Sequence, residues 1–183
     1  AGHSELSAGV VAARTPALAR RVYFIQNALG AGLSPEGANE LARGLKTLAL
    51  RLDRQLANLD AVRRFLASQP AVQRIYYPTK LAANPELRGG GGVLSFELAD
   101  GAQALAFVNR LQLFTRAVSL GAVESLVELP SKMSHAELSP AEQEAAGIKP
   151  GLIRLAIGIE DEHDLVADLA QALDYCQASR KGA

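Results

Sequence analysis

Leu41, Leu45, Leu48, Leu52, Leu56, Leu59, Val62 and Leu66 recur at steps of three or four residues, the spacing that lines one face of an α-helix over about eight turns. Ser34 followed by Pro35 opens the run with an N-cap and a first-turn proline. The pattern predicts one long helix, bent near Gly44. A helix of that length outruns any single small core, so it reads as a spine joining two domains, residues 1–55 and 56–183.

Upstream, "AGVVAA" (8–13) is short, small and apolar, as a buried strand would be. Thr15 and Pro16 then start a helix that carries Leu18, Val22, Ile25 and Leu29 at helical spacing, and Gly30 closes it in the left-handed position. Beyond the spine the period changes to two. "VQRIYYP" (72–78), "GVLSFEL" (92–98), "LFTRAVSL" (113–120) and "LIRLAIGI" (152–159) read as strands. Helices lie between and after them: about Ala102 to Leu111, a second opened by Ser139, Pro140 and Glu142 as a capping box, and a last one carrying Leu165, Leu169, Leu173 and Cys176. The connections are too short for many parallel crossovers, which predicts a mainly antiparallel sheet with helices on one face. The tail "QASRKGA" reads as frayed.

With 49% hydrophobic and 21% charged residues the chain can bury a core. Nineteen basic residues balance nineteen acidic ones, so no field gathers nucleic acid or an anionic membrane. No stretch approaches the roughly 20 apolar residues of a membrane span, and the start lacks the regions of a signal peptide. Cys176 is the only cysteine, which excludes an internal disulfide and a thiolate zinc site and places the protein in the cytoplasm. The missing initial methionine points to a cut or trimmed chain.

One arginine stands in an oily strand. In "IRLAIGI", Ile153, Leu155, Ile157 and Ile159 share one face, and Arg154, Ala156 and Gly158 share the other. The small neighbours leave room for a carboxylate to meet the guanidinium with two parallel hydrogen bonds. A solvated arginine, or one paired with an acid of this chain, fits the pattern as well. "RAVSLGAVESLVELPSKMSHAEL" (116–138) breaks its strand at Ser119 and continues without clear periodicity; it reads either as a ligand-contacting loop or as a turn with Ser119 and Ser125 bonding locally. "RGGGGV" (88–93) precedes a strand rather than a helix and has no Lys-Ser/Thr, so it is a connector and not a phosphate loop. His3, His135 and His163 lack ligand spacing, which argues against a metal site. "EDEHD" (160–164) is a structural acid cluster at a helix N-terminus. No catalytic triad or paired-carboxylate site stands out.

Taken together, "GHSELSAGVV", "LGAGLSPEGANELARGLKTLALRLDRQLANL", "GGVLSFEL", the 116–138 segment and "GIKPGLIRLAIGIEDEHDLVADLAQAL" resemble the carboxyl-terminal half of the pyridoxal-phosphate enzymes of cysteine and methionine metabolism. These include cystathionine gamma-synthase, cystathionine gamma- and beta-lyases, methionine gamma-lyase and homoserine-ester sulfhydrylases. The resemblance implies the C-terminal part of an α/β, type I (aspartate-aminotransferase-like) fold, with the spine helix followed by a small α+β domain. It implies a sulfur amino-acid substrate whose carboxylate Arg154 grips with help from Ser119, and specificity positions at Val118 and Leu120. It further implies that Gln26 and Asn27 border a neighbouring subunit's active site in a homotetramer.

The cofactor implied is pyridoxal 5'-phosphate, held as a Schiff base by a lysine that acts as an electron-sink anchor. In the family that lysine belongs to a segment of the type "TKY--GHS", so its position falls just before Ala1. Lys46, Lys80, Lys132, Lys149 and Lys181 match no cofactor motif. The chain alone is therefore expected to be inactive, either docked with the N-terminal part of the same enzyme or surviving as a folding or oligomerisation module. Val118 stands where many gamma-synthases and gamma-lyases carry glutamate, Ser134 stands where threonine is usual, and "YYPTKLAANPELRGGGG" is shorter than usual.

Overall fold

The computed structural model describes residues 2–78 and 89–181, and the chain divides into two compact units between Ala49 and Leu50. Lys80 and most of the shortened excursion after Tyr77 lie outside the described residues.

In the first unit, helix α1 spans Pro16–Leu29 and α2 spans Pro35–Leu45. Thr15 Oγ1 accepts from Leu18 N–H, and Ser34 Oγ accepts from Gly37 N–H at 3.1 Å, so both predicted N-caps form. Gly30 takes φ 65° and closes α1, its N–H donating to Asn27 O. None of α1 is buried; Phe24 and Leu29 are 73% and 77% exposed. The strand expected at 8–13 does not form. A buried strand is made by its neighbours, and no extended segment among the described residues pairs with this one, leaving Val10 94% exposed.

The predicted spine is two helices, α2 and α3 (Leu48–Ala67), separated by Lys46 and Thr47. Lys46 N–H bonds to Arg43 O three residues back, the tighter pattern of a helix end. Gly44 and β-branched Thr47, both poor helix formers, flank the break.

Strands β1 (Arg74–Tyr76), β2 (Val93–Glu97), β3 (Thr115–Arg116), β4 (Leu126–Glu128) and β5 (Leu152–Ala156) form one sheet in the order β1-β2-β5-β4-β3. All pairings are antiparallel except β3 with β4. Helices α4 (Gly101–Arg110), α5 (Pro140–Ala145) and α6 (Glu162–Lys181) complete the unit, and the capping box at Ser139 and Glu142 is formed. The helix α6 runs through Lys181, past the expected fraying point, because Ala178, Arg180 and Lys181 are all good helix formers.

The alternation along the strands decides where the core sits. Leu94, Phe96, Val127, Ile153 and Leu155 point to one face and join Leu59, Val62 and Leu66 of α3, Ala104, Phe107 and Val108 of α4, and Leu165, Leu169 and Leu173 of α6 in one cluster. Phe96 and Phe107 meet edge to face with ring centres 5.7 Å apart. The opposite face is polar near the arginine of the central strand: β5 lies between β2 and β4 with Arg154 across from Ser95 on one side and Glu128 on the other.

Farther along, buried Glu97 takes hydrogen bonds from Tyr76 Oη and from Lys149 Nζ, the latter at 2.9 Å. Burial alone would push the Glu97 carboxyl up, but these two donors hold it below its ordinary 4.5. The same contacts raise Tyr76 and Lys149. A depressed carboxyl stabilises the fold above its unfolded pKa and loses that contribution as pH falls through the folded value; raised Tyr76 and Lys149 lose theirs as pH climbs past their ordinary 10.0 and 10.5. In urea unfolding followed from pH 7 to pH 3, the unaltered protein is expected to lose more stability than Glu97→Gln, so that the gap between them narrows as the medium becomes acidic.

Candidate functional site

Arg154 is brought to the polar face by the same period-two alternation that buries Ile153 and Leu155. Its side chain is 20% exposed. Nη2 donates to Val118 O and, at 3.0 Å, to Ser119 O. The same nitrogen lies 2.5 Å from Glu128 Oε2, an ion-pair approach outside hydrogen-bond angles. Nε is buried without a hydrogen-bond partner. Of the two readings open in the sequence, an acid of this chain does meet the guanidinium, while one of its donors stays uncommitted.

The Val118–Ser125 loop returns across β5 and is held from three sides. Ser125, fully buried, donates from Oγ to Glu160 Oε2 at 2.8 Å and accepts there from Gly158 N–H at 2.8 Å; its own N–H goes to Glu160 Oε1 at 2.6 Å. From α3, Gln55 Nε2 donates to Ala122 O at 2.8 Å, and Asn58 Nδ2 donates to Gly158 O and Glu160 O. A Cβ at Gly158 would collide with the Val123 carbonyl. The space that Ala156 and Gly158 leave beside Arg154 is thus filled by this chain: Ala156 packs with Ala122 and Leu126, and Gly158 touches residues 123–124. The small residues serve the loop's close approach rather than an open cleft.

The predicted residues divide accordingly. Arg154, Val118 and Ser119 come together, with Ser119 contributing its carbonyl. Val118 and Leu120 expose their side chains on the loop, and Gly121 at φ 75° turns it back. Gln26 and Asn27 belong to the first unit, where their carbonyls accept the bonds that close α1. Glu160 holds the Ser125 turn, and Asp161 Oδ1 accepts from His163 N–H at the start of α6, so the acid cluster is structural as expected. No group of three or more potential metal ligands occurs among the described residues.

Glu128, Gln55 and Asn58 escaped the sequence reading, and Ser134 entered it only as a departure from the family's usual threonine. Glu128 had a signal: an acid inside the apolar run "LVEL", the mirror of an arginine inside "LIRL". Among the described residues Glu128 is the carboxylate that the strand register sets opposite Arg154.

The sequence profile of the Cys/Met metabolism PLP-dependent enzymes matches residues 1–174. The chain belongs to this family. Its relatives include a cystathionine beta-lyase of Lactococcus lactis subsp. cremoris (strain MG1363), 41% identical over 179 residues that cover 94% of this chain and 47% of the relative. An L-methionine gamma-lyase of Pseudomonas putida is 43% identical over 180 residues, covering 94% and 45%. The crystal structure of a cystathionine gamma synthase from Xanthomonas oryzae pv. oryzae in complex with cystathionine superposes with a TM-score of 0.87 at 41% identity, over 97% of this chain and 48% of that one. The fold is therefore the type I pyridoxal-phosphate fold, and the chain spans about half the length of the family members it matches.

Because Ser125 Oγ serves two buried partners at once, Ser125→Ala should cost about 1–3 kcal/mol of stability. Chemical denaturation checks this, and a change within error of zero would show that the turn is held by its backbone alone.

Proposed function

We propose that this chain forms the carboxylate-binding and specificity part of a pyridoxal-phosphate enzyme that cleaves or exchanges carbon–sulfur bonds in amino acids, of the cystathionine lyase or gamma-synthase type, with methionine gamma-lyase chemistry as the enzymatic alternative. The observation that carries the reading is Arg154: a guanidinium on a rigid central strand, partly exposed, with a buried Nε–H left unsatisfied. Family membership and the names of the relatives support the substrate class.

Pyridoxal phosphate supplies the electron sink that stabilises a carbanion at the substrate's α-carbon. The described residues fit the substrate side of such a site and do not fit the anchorage of the cofactor itself. Lys149 is engaged by Glu97, Lys46 closes α2, Lys132 lies in the 3-10 turn Pro130–Lys132, and the hydrogen bonds of Arg154 and Glu128 involve none of them. The cofactor lysine is assigned to polypeptide preceding Ala1.

The role of Arg154 is positional. A carboxylate bound there fixes the amino acid's α-carbon, and so fixes which of its bonds is broken, while the proton transfers fall to groups elsewhere in the intact enzyme. The exposure of Val118 and Leu120 on the loop that Arg154 holds supports a part for them in selecting the departing group. The bare apolar surface of α1 supports packing against further polypeptide, either the remainder of the enzyme or neighbouring subunits of a tetramer bordered by Gln26 and Asn27. No helix among the described residues is long and apolar enough to cross a membrane, and with a single, buried cysteine the cytoplasm is our reading of its compartment.

A second reading draws on one observation: three oxygens of this chain, Glu128 Oε2, Val118 O and Ser119 O, already converge on Arg154 Nη2. In it, Arg154 is a structural strut and the chain a folding or oligomerisation module.

The two readings separate in the full-length protein loaded with cofactor. A hydrogen bond to a charged group is worth about 1.5–3 kcal/mol, so Arg154→Ala is expected to raise KM for the amino-acid substrate about tenfold or more while the cofactor remains bound. Unchanged KM with reduced thermal stability would establish the strut. Val118→Glu, which places a carboxylate on the exposed loop, is expected to shift preference toward substrates bearing an amino group beyond the γ-position; kcat/KM measured for both substrate kinds decides, and identical ratios in the two proteins would remove Val118 from the specificity set.

A further inference from the structure

We propose that Glu128 is the positioning residue of Arg154, itself held by Ser134 and His135, and that this relay presets the guanidinium for an incoming carboxylate. The inference rests on the reading of Arg154 as the carboxylate clamp.

Glu128 is 1% exposed, and a carboxylate so deeply buried is costly unless both oxygens are answered. They are answered by different partners. Oε1 accepts from Ser134 Oγ and from Ser134 N–H at 3.3 Å, while Oε2 faces Arg154 Nη2. The Ser134 hydroxyl has one hydrogen, and Glu128, an acceptor only when ionised, takes it. His135 Nδ1 lies 2.8 Å from the same hydroxyl oxygen. That nitrogen therefore carries a hydrogen and donates it to Ser134, so that His135 and Ser134 donate in turn toward Glu128, whose carboxylate receives the hydroxyl on one oxygen and faces Arg154 with the other.

At its far end, three oxygens surround one nitrogen: Val118 O and Ser119 O accept hydrogen bonds from Nη2, and Glu128 Oε2 lies beside it as its ion-pair partner. A guanidinium is planar, so anchoring one of its nitrogens from three directions limits the tilt of the whole group. Nε has no hydrogen-bond partner among the described residues and is the donor left uncommitted. Val118 and Ser119 belong to the loop, whereas Glu128 belongs to β4 and sits in register with Arg154. Of the three residues it is the one carried by the sheet. A clamp set in advance improves binding of the carboxylate in ground and transition states alike, which appears in KM and not in kcat.

The experiment uses the full-length enzyme loaded with pyridoxal phosphate and two probes, L-methionine and 3-(methylthio)propylamine, its counterpart without the carboxylate. Dissociation constants are read from the change in cofactor absorption. Glu128→Gln, nearly isosteric, is expected to weaken L-methionine about tenfold, the equivalent of about 1.4 kcal/mol, and to leave the amine unchanged; KM for the enzyme's substrate rises in step while kcat holds. Ser134→Ala is expected to weaken L-methionine in the same selective way, and Ser134→Thr, which retains a hydroxyl, to bind it normally. Equal weakening of both probes, or weakening of neither, overturns the proposal. Arg154→Ala is run in parallel: if it leaves L-methionine binding unchanged, the clamp reading itself fails, whereas if it weakens binding and Glu128→Gln does not, the clamp stands and Glu128 has no part in it. Should Glu128→Gln fail to fold, the Ser134 pair decides by the same selectivity.

Discussion

The central strand β5 obliges the rest of the second unit to serve two faces at once. Each hydrophobic residue it sends to the helices is followed by one sent to the other side, and on that side stands a permanent positive charge flanked by paired strands. A guanidinium enclosed in this way must be answered locally. β4 brings Glu128 opposite, and the loop ahead of β4 folds back to present two carbonyls. The buried turn of Ser125, Gly158 and Glu160 lets that loop lie so close. The geometry of the site and the topology of the sheet are consequences of one alternation.

Much of this was legible because the relevant signals are local. Thr15, Ser34 and Ser139 announce their helices through side-chain oxygens that cap the first turn, and Gly30 ends one through a backbone conformation open to glycine. The period-two runs in 93–97 and 152–156 became neighbouring central strands. Other features depend on partners that pattern cannot name. Residues 8–13 have a strand's composition and no ladder. The leucine repeat continues across Lys46 and Thr47 although the helix does not, since side-chain spacing alone carries no record of where the helical hydrogen bonds are interrupted. The three-residue β4 is too short to show a period, so its acid passed for part of a loop. Arg154 was visible as an anomaly; Glu128, its answer, became visible through register.

The two units differ in how complete they are as folding objects. The second carries a closed hydrophobic cluster of sheet and helices, with Leu59, Phe96, Phe107, Ile153 and Leu155 almost without solvent contact. The first has well-capped helices and hardly a buried side chain. Capping and propensity suffice to define its local structure, while the hydrophobic surface that normally secures such helices is still turned to solvent. That asymmetry accords with a chain spanning about half the length of its relatives.

The contact between Arg154 and Glu128 also sets the electrical character of the site. The two groups cancel, so from a distance the pair presents a dipole rather than a cation, and its field decays faster than that of a bare guanidinium. Simple anions gain little by approaching such a pair. Glu128, 1% exposed, thereby shortens the reach of a positive charge that its own strand leaves partly open to solvent. The mutual neutralisation of two residues on adjacent strands, fixed by the register of β4 and β5, thus decides how far the charge of Arg154 is felt.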